Sequence, residues 1–217
     1  WREHVKANPV SLDTIRVHAH GLLEDLSTLG VSSQEEIEKL RHQYLTQQLC
    51  SLSARVEMLS GKSFSFDEEA LALYDARPPH HPETFFKDAL QKLDALVPGS
   101  GTVAQRYDRY RSSYAVPVGK LDSVFQAAIR ECRERTRRNI PLPACERFAL
   151  EYVTNKPWSG YNWYKGNSVS LIQINTDLPI YVDRAVDLAA HEGYPGHHVY
   201  NSVLEAHLAR ERGWMEF

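Results

Sequence analysis

The stretch His191-Glu192-Gly193-Tyr194-Pro195-Gly196-His197-His198 interrupts an otherwise helical pattern. Before it, Tyr181 to His191 carries Val182, Ala185, Val186 and Ala189 on one face. After it, Val199, Val203, Leu204 and Leu208 resume the spacing as far as Arg212, with Gly213 as the stop. Pro and Gly are the poorest helix formers. Pro195 cannot donate to the carbonyl of His191, and its ring clashes there. Gly196 accepts nearly any backbone angle. The chain must therefore bend a helix at this point, among three imidazoles and a carboxylate.

Those side chains read as the donors of a zinc site, the alternative being a helix hinge with incidental histidines. A catalytic zinc takes three protein ligands and a water, whose pKa it lowers to about 7. A neighbouring carboxylate can then act as general base. The familiar His-Glu-x-x-His pattern puts two imidazoles one turn apart on one helical face. Here the next histidines fall at i+6 and i+7 from His191. On an unbroken helix the first is rotated by about 240°, and the second lies about 10.5 Å further along. A kink at Pro195-Gly196 would instead swing His197 back beside His191. We therefore expect His191 and His197 as metal ligands and Glu192 as the base. His198 is the substitute ligand, or else an outer or substrate-facing group. Asp187, one turn before His191, could accept a hydrogen bond from a ligand imidazole.

The same stretch, with Ala189-Ala190 before it and Val199-Tyr200 after it, resembles the signature of a mostly bacterial family catalogued as domain of unknown function 885. Lys156-Pro157-Trp158-Ser159-Gly160-Tyr161-Asn162 and Ile174-Asn175-Thr176-Asp177-Leu178-Pro179 resemble that family too. The likeness is specific from about Tyr152 onward; upstream only helical character matches. The family is similar to gluzincin metallopeptidases such as carboxypeptidase Taq, with the motif His-Glu-x-Gly-His. Aligning Gly196-His197 with that Gly-His implies a two-residue insertion here and favours His197 over His198. The resemblance implies a zinc-dependent peptidase whose third ligand, a glutamate, comes from a helix downstream of the motif. Glu205, Glu211 and Glu216 are poorly placed to reach back. The chain begins at Trp1 and stops at Phe217 in mid-pattern, so we expect an internal piece of a longer protein that lacks the third ligand and binds zinc weakly alone.

The rest of the chain reads as helices. Apolar residues recur at helical spacing over Ser11–Leu29, with Ser32 and Ser33 as caps for a second helix reaching Leu59 and Gly61. Further helices are expected from Asp67, over Glu83–Leu96, over Val103–Tyr114 and over Pro117–Asn139. His18 with His20 read as surface or core histidines, and His80 with His81 as a solvent-exposed loop pair, rather than as ligands. The Tyr107, Tyr110, Tyr114 stripe with Arg106, Arg109 and Arg111 reads as core on one side and solvated charge on the other, and the arginines from Arg130 to Arg138, with Glu131 and Glu134 among them, as helical ion pairs suited to the helix dipole. With a net charge of −3, nothing selects nucleic acid. No apolar run is long enough to cross a bilayer. The three cysteines, Cys50, Cys132 and Cys145, form no metal or redox pattern.

Character changes at Ile140-Pro141-Leu142-Pro143. Val169–Asn175 alternates as a strand should, and is expected to be the edge to which an extended peptide adds. Tyr161, Asn162, Tyr164 and Asn175 are then candidates to line the cleft. Tyr161 or Tyr164 is a candidate donor to the oxyanion. Thr176 or Asp177 should cap the following helix.

The expected fold is mainly α: a multi-helix, zincin-like metallopeptidase with a small antiparallel sheet before the zinc-binding helix. Residues 1–140 form a helical region and 141–217 the catalytic core. The expected function is zinc-dependent hydrolysis of a peptide or small amide, with Glu192 deprotonating a metal-activated water. Two alternatives stay open: a zinc hydrolase of another amide or ester, and a non-catalytic helical binding domain with a vestigial site. Oligomeric state and cellular location are not legible.

Overall fold

The computed structural model describes residues 8–29 and 35–217. The expected caps Ser32 and Ser33 lie outside the described residues. Two compact units divide the chain, one ending at Phe86 and the other running from Lys87 to Phe217. The division falls inside helix α4 (Glu83–Leu96).

In the first unit, α1 (Leu12–Leu29) packs along α2 (Glu36–Leu59), and α3 (Phe66–Tyr74) packs on α2. Ala19 of α1 and Val56 of α2 are buried. The His42 ring bonds the carbonyl of Leu26 at 3.0 Å, and Ser51 Oγ donates to the carbonyl of Leu73 at 2.9 Å. Ser65 and Glu68 form a reciprocal capping box that starts α3. His18 and His20 are exposed, and His80 bonds Asp67 at 2.7 Å.

The second unit contains α5 (Val103–Ser112), α6 (Leu121–Arg137), strands β1 (Arg147–Val153), β2 (Gly160–Gly166) and β3 (Val169–Asn175), then α7 (Val182–Leu188) and α8 (His197–Leu204). Its core joins Phe125 and Leu121 of α6 to Ile172 and Ile174 of β3 and to Ala185 and Leu188 of α7. Those positions follow from the two periods: i and i+4 on the helix, alternate residues on the strand. Ala115 and Tyr181 form an isolated bridge that brings the chain before α6 against the start of α7.

The sheet differs from the expectation in two respects. Its order is β1-β3-β2, with β1 parallel and β2 antiparallel to β3, so it is mixed rather than antiparallel. Strand β3 is therefore central, hydrogen-bonded on both sides, and has no free edge. The edges are β1 and β2. The helix after β3 starts at Val182, later than Thr176 or Asp177 could cap it. Asp177 instead accepts the backbone N–H of Asn155 at 2.9 Å.

Strand register sorts the side chains into two faces. Asn162 lies opposite Ile172 and Tyr164 opposite Ser170, on the face that carries the helices. Tyr161 and Trp163 alternate onto the other face. There Trp158, Tyr161 and Trp163 form an aromatic group, with 4.7 Å between the Tyr161 and Trp163 ring centres. Among the described residues, no helix is long and apolar enough to cross a membrane.

Candidate metal centre

Helix α7 does not simply stop. Its last turn widens into a π-helical segment, Ala189–Gly193, in which the N–H of Tyr194 reaches the carbonyl of Ala189 at 3.1 Å. Such wide turns within helices frequently mark functional positions. The Tyr194–Pro195 peptide is cis. The N–H of Gly196 returns to the carbonyl of Ala190 at 2.9 Å, and α8 begins at His197. The chain thus folds back on itself within a few residues.

This fold-back brings His191 and His197 together. Their ring centres stand 4.9 Å apart, edge to face at 83°. Both residues are exposed. Glu192, next to His191 in the chain, is only 5% exposed and lies against Gly160 of strand β2. A β-carbon at Gly160 would stand 3.3 Å from Glu192 Oε1 and 2.7 Å from Leu188, so glycine is what allows helix and strand to approach. Asn162 Nδ2 donates to the backbone carbonyl of Glu192 at 2.7 Å and ties the motif to β2 a second time. Among the described residues, the Glu192 carboxylate has no hydrogen bond or ion pair.

His198 is not brought to the pair. It is fully buried, with Nδ1 2.9 Å from Ser170 Oγ and Nε2 3.0 Å from Glu146 Oε2. Burial pushes the imidazole below its ordinary pKa, against the pull of Glu146. A carboxylate can only accept, so Nε2 carries the proton and Nδ1 accepts the Ser170 hydroxyl. With both nitrogens committed, His198 is part of the scaffold and not a substitute ligand.

Glu146 was not legible as a site residue, yet it is the hub of this scaffold. Its side chain is 1% exposed. Oε1 accepts Arg133 Nε at 2.9 Å and Nη2 at 2.6 Å. Oε2 accepts the Tyr194 hydroxyl at 2.5 Å as well as His198. Burial alone would raise the carboxyl pKa, but the bonds from Tyr194, Arg133 and His198 outweigh it and hold the group ionised. Burial, with Glu146 beside it, pushes the Tyr194 hydroxyl up. A buried carboxylate with this many donors is well satisfied.

The two tyrosine candidates lie away from the pair. Tyr161 is on the outer sheet face, opposite the motif helices, because strand side chains alternate. Tyr164 faces the helices, but its hydroxyl donates to Glu205 and accepts the N–H of Ser168 at 3.0 Å. Asp187 pairs with Arg184 rather than with a ligand imidazole. Asn175 Nδ2 donates to the carbonyls of Lys156 and Trp158, each at 2.9 Å, and so fixes the turn before β2. Glu205 is held by Tyr164, by Arg210 and by the N–H groups of Asn167 and Ser168.

Two imidazoles sharing a tetrahedral zinc at about 2.0–2.1 Å have ring centres roughly 5 Å apart. The spacing and donor chemistry of His191 and His197 fit such an ion. The ligand count does not: among the described residues, no three His, Cys, Asp or Glu side chains are grouped to hold a metal. No protein-family profile, curated protein or solved structure matches the chain.

Proposed function

We propose that this chain carries part of the active site of a zinc-dependent hydrolase acting on a peptide or small amide. The supporting observation is the pairing of two exposed imidazoles, 4.9 Å apart, with an adjacent carboxylate that is almost buried and unpaired among the described residues. A carboxylate not committed to other donors is available to accept a proton, as a general base must. His191 and His197 would hold the ion, and a third protein ligand is required from outside the described residues. Zinc held there would lower the pKa of a water to about 7 and polarise the amide carbonyl.

In this reading the protein groups divide the work. Glu192 takes the proton of the attacking water and returns it to the leaving amine. Gly160 keeps that carboxylate close to β2, which is paired on one side only. An extended peptide adding to the free edge of β2 would pass beside Glu192. Asn162 holds the backbone of the base in place.

The test uses the protein as it occurs in the cell, purified without chelator. Zinc analysis should find close to one ion per chain, and less than about 0.1 would overturn the proposal. Glu192→Gln should keep the ion and reduce peptide hydrolysis by about 10²–10⁴-fold. Equal activity in the two proteins would remove Glu192 from the role of base.

A further inference from the structure

We infer that Glu146 is a positioning residue: its buried carboxylate fixes both sides of the Pro195-Gly196 fold-back and thereby sets the spacing of His191 and His197. The inference rests on the metal-site reading above. Its basis is the placement of the four groups that Glu146 gathers. Tyr194 precedes the bend and His198 follows His197, and the two converge on one oxygen, Oε2, at 2.5 and 3.0 Å. Arg133 of α6 takes the other oxygen through two nitrogens, which orients the carboxylate so that Oε2 faces the bend.

Two backbone bonds hold the bend, and side chains add to them. Pro195 has no N–H, and between Gly193 and His197 the chain is held by the N–H groups of Tyr194 and Gly196. Tyr194 and His198 add side-chain ties on either side of the bend. His198 is also held from the strand side by Ser170, at 2.9 Å. Phe148 of β1 packs on the rings of both Tyr194 and His198, at 5.2 and 5.1 Å. His197 lies between these two anchored residues, so its direction is inherited from them. Outer groups of this kind typically change metal affinity by about 10–100-fold.

Copper(II) iminodiacetate is a suitable probe, because it can be held by two imidazoles without a third protein ligand. Binding is measured by titration, and electron paramagnetic resonance counts the coordinated nitrogens. The doubly substituted His191→Ala, His197→Ala protein gives the background from the other histidines. Wild type should add a two-imidazole signal to that background. Glu146→Asp keeps the charge but withdraws the acceptor by one methylene. It should weaken binding by about tenfold or more at a temperature where circular dichroism shows it folded. Glu146→Gln keeps the length and can bond Tyr194 and His198 after a tautomer change, so binding should stay within about threefold.

A folded Glu146→Asp protein that binds as wild type does would overturn the positioning role and leave the metal-site reading intact. If Glu146→Asp does not fold, Tyr194→Phe removes one of the two ties, and unchanged binding there would overturn the role equally. A wild-type protein with no two-imidazole signal would overturn the metal-site reading itself, and this inference with it.

Discussion

The α-carbon of Gly196 lies so close to the carbonyl of His191 that a β-carbon there would stand 1.8 Å from the oxygen and 2.3 Å from the carbon. The obstacle is backbone on both sides, so no side-chain rotation relieves it. Gly196 is needed for this contact rather than for an unusual φ, which is −68°. Gly196→Ala should cost about 3 kcal/mol or more in urea unfolding, since the fold-back has to open to admit a methyl group. The same substitution should abolish two-imidazole binding even where the protein stays folded. Unchanged stability would mean that the bend is not as close as described.

The Glu205 carboxyl supplies a pH dependence. Burial opposes its charge, but hydrogen bonds from Tyr164, Arg210 and two backbone N–H groups bring its pKa down to about 2 from 4.5. The folded state therefore binds fewer protons than the unfolded state between these values. The stabilisation is complete above pH 4.5 and is lost as pH falls toward 2. After screening by the solvent that still reaches the group, this amounts to something on the order of 2 kcal/mol. Thermal midpoints recorded across that window should fall more steeply for wild type than for Glu205→Gln.

Phe125 is fully buried between α6, β3 and α7. Phe125→Ala should destabilise by about 3–5 kcal/mol, through lost burial and the cavity left behind. The urea midpoint should drop with little change in slope. A loss below about 1 kcal/mol would show that the surrounding side chains collapse into the space.

Tyr161 lies on the outer face of the sheet, with its ring against Trp158 and Trp163. If the proposed hydrolysis holds, removing only its hydroxyl should leave the rate within about twofold of wild type in steady-state assays. A hundredfold loss in Tyr161→Phe would return it to the reaction centre.

Local pattern made the helices legible. The spacing of Leu12, Ile15, Leu22 and Leu26 predicts α1, and Glu83–Leu96 is helical over the predicted span. The alternation in Val169–Asn175 predicts its strand. Its place in the sheet was not legible, because parallel pairing with β1 joins segments whose relation no local period encodes. The imidazole pair could be anticipated, since Pro195 and Gly196 announce a bend next to histidines. Glu146 could not, standing 52 residues from His198 in a connecting segment without periodicity. The choice between Tyr161 and Tyr164 turns on which face of β2 meets the helices. That becomes clear only once Gly160 is seen against Leu188 and Glu192.

Three of the four tryptophans, Trp158, Trp163 and Trp214, belong to the unit from Lys87 to Phe217, and the described residues up to Phe86 contain none. A Trp1→Phe chain would therefore have an intrinsic emission that reports on one unit, while far-ultraviolet dichroism follows the helices of both. Superimposing the two melting curves would reveal whether the helical hairpin and the motif-bearing unit come apart in one cooperative event or in succession.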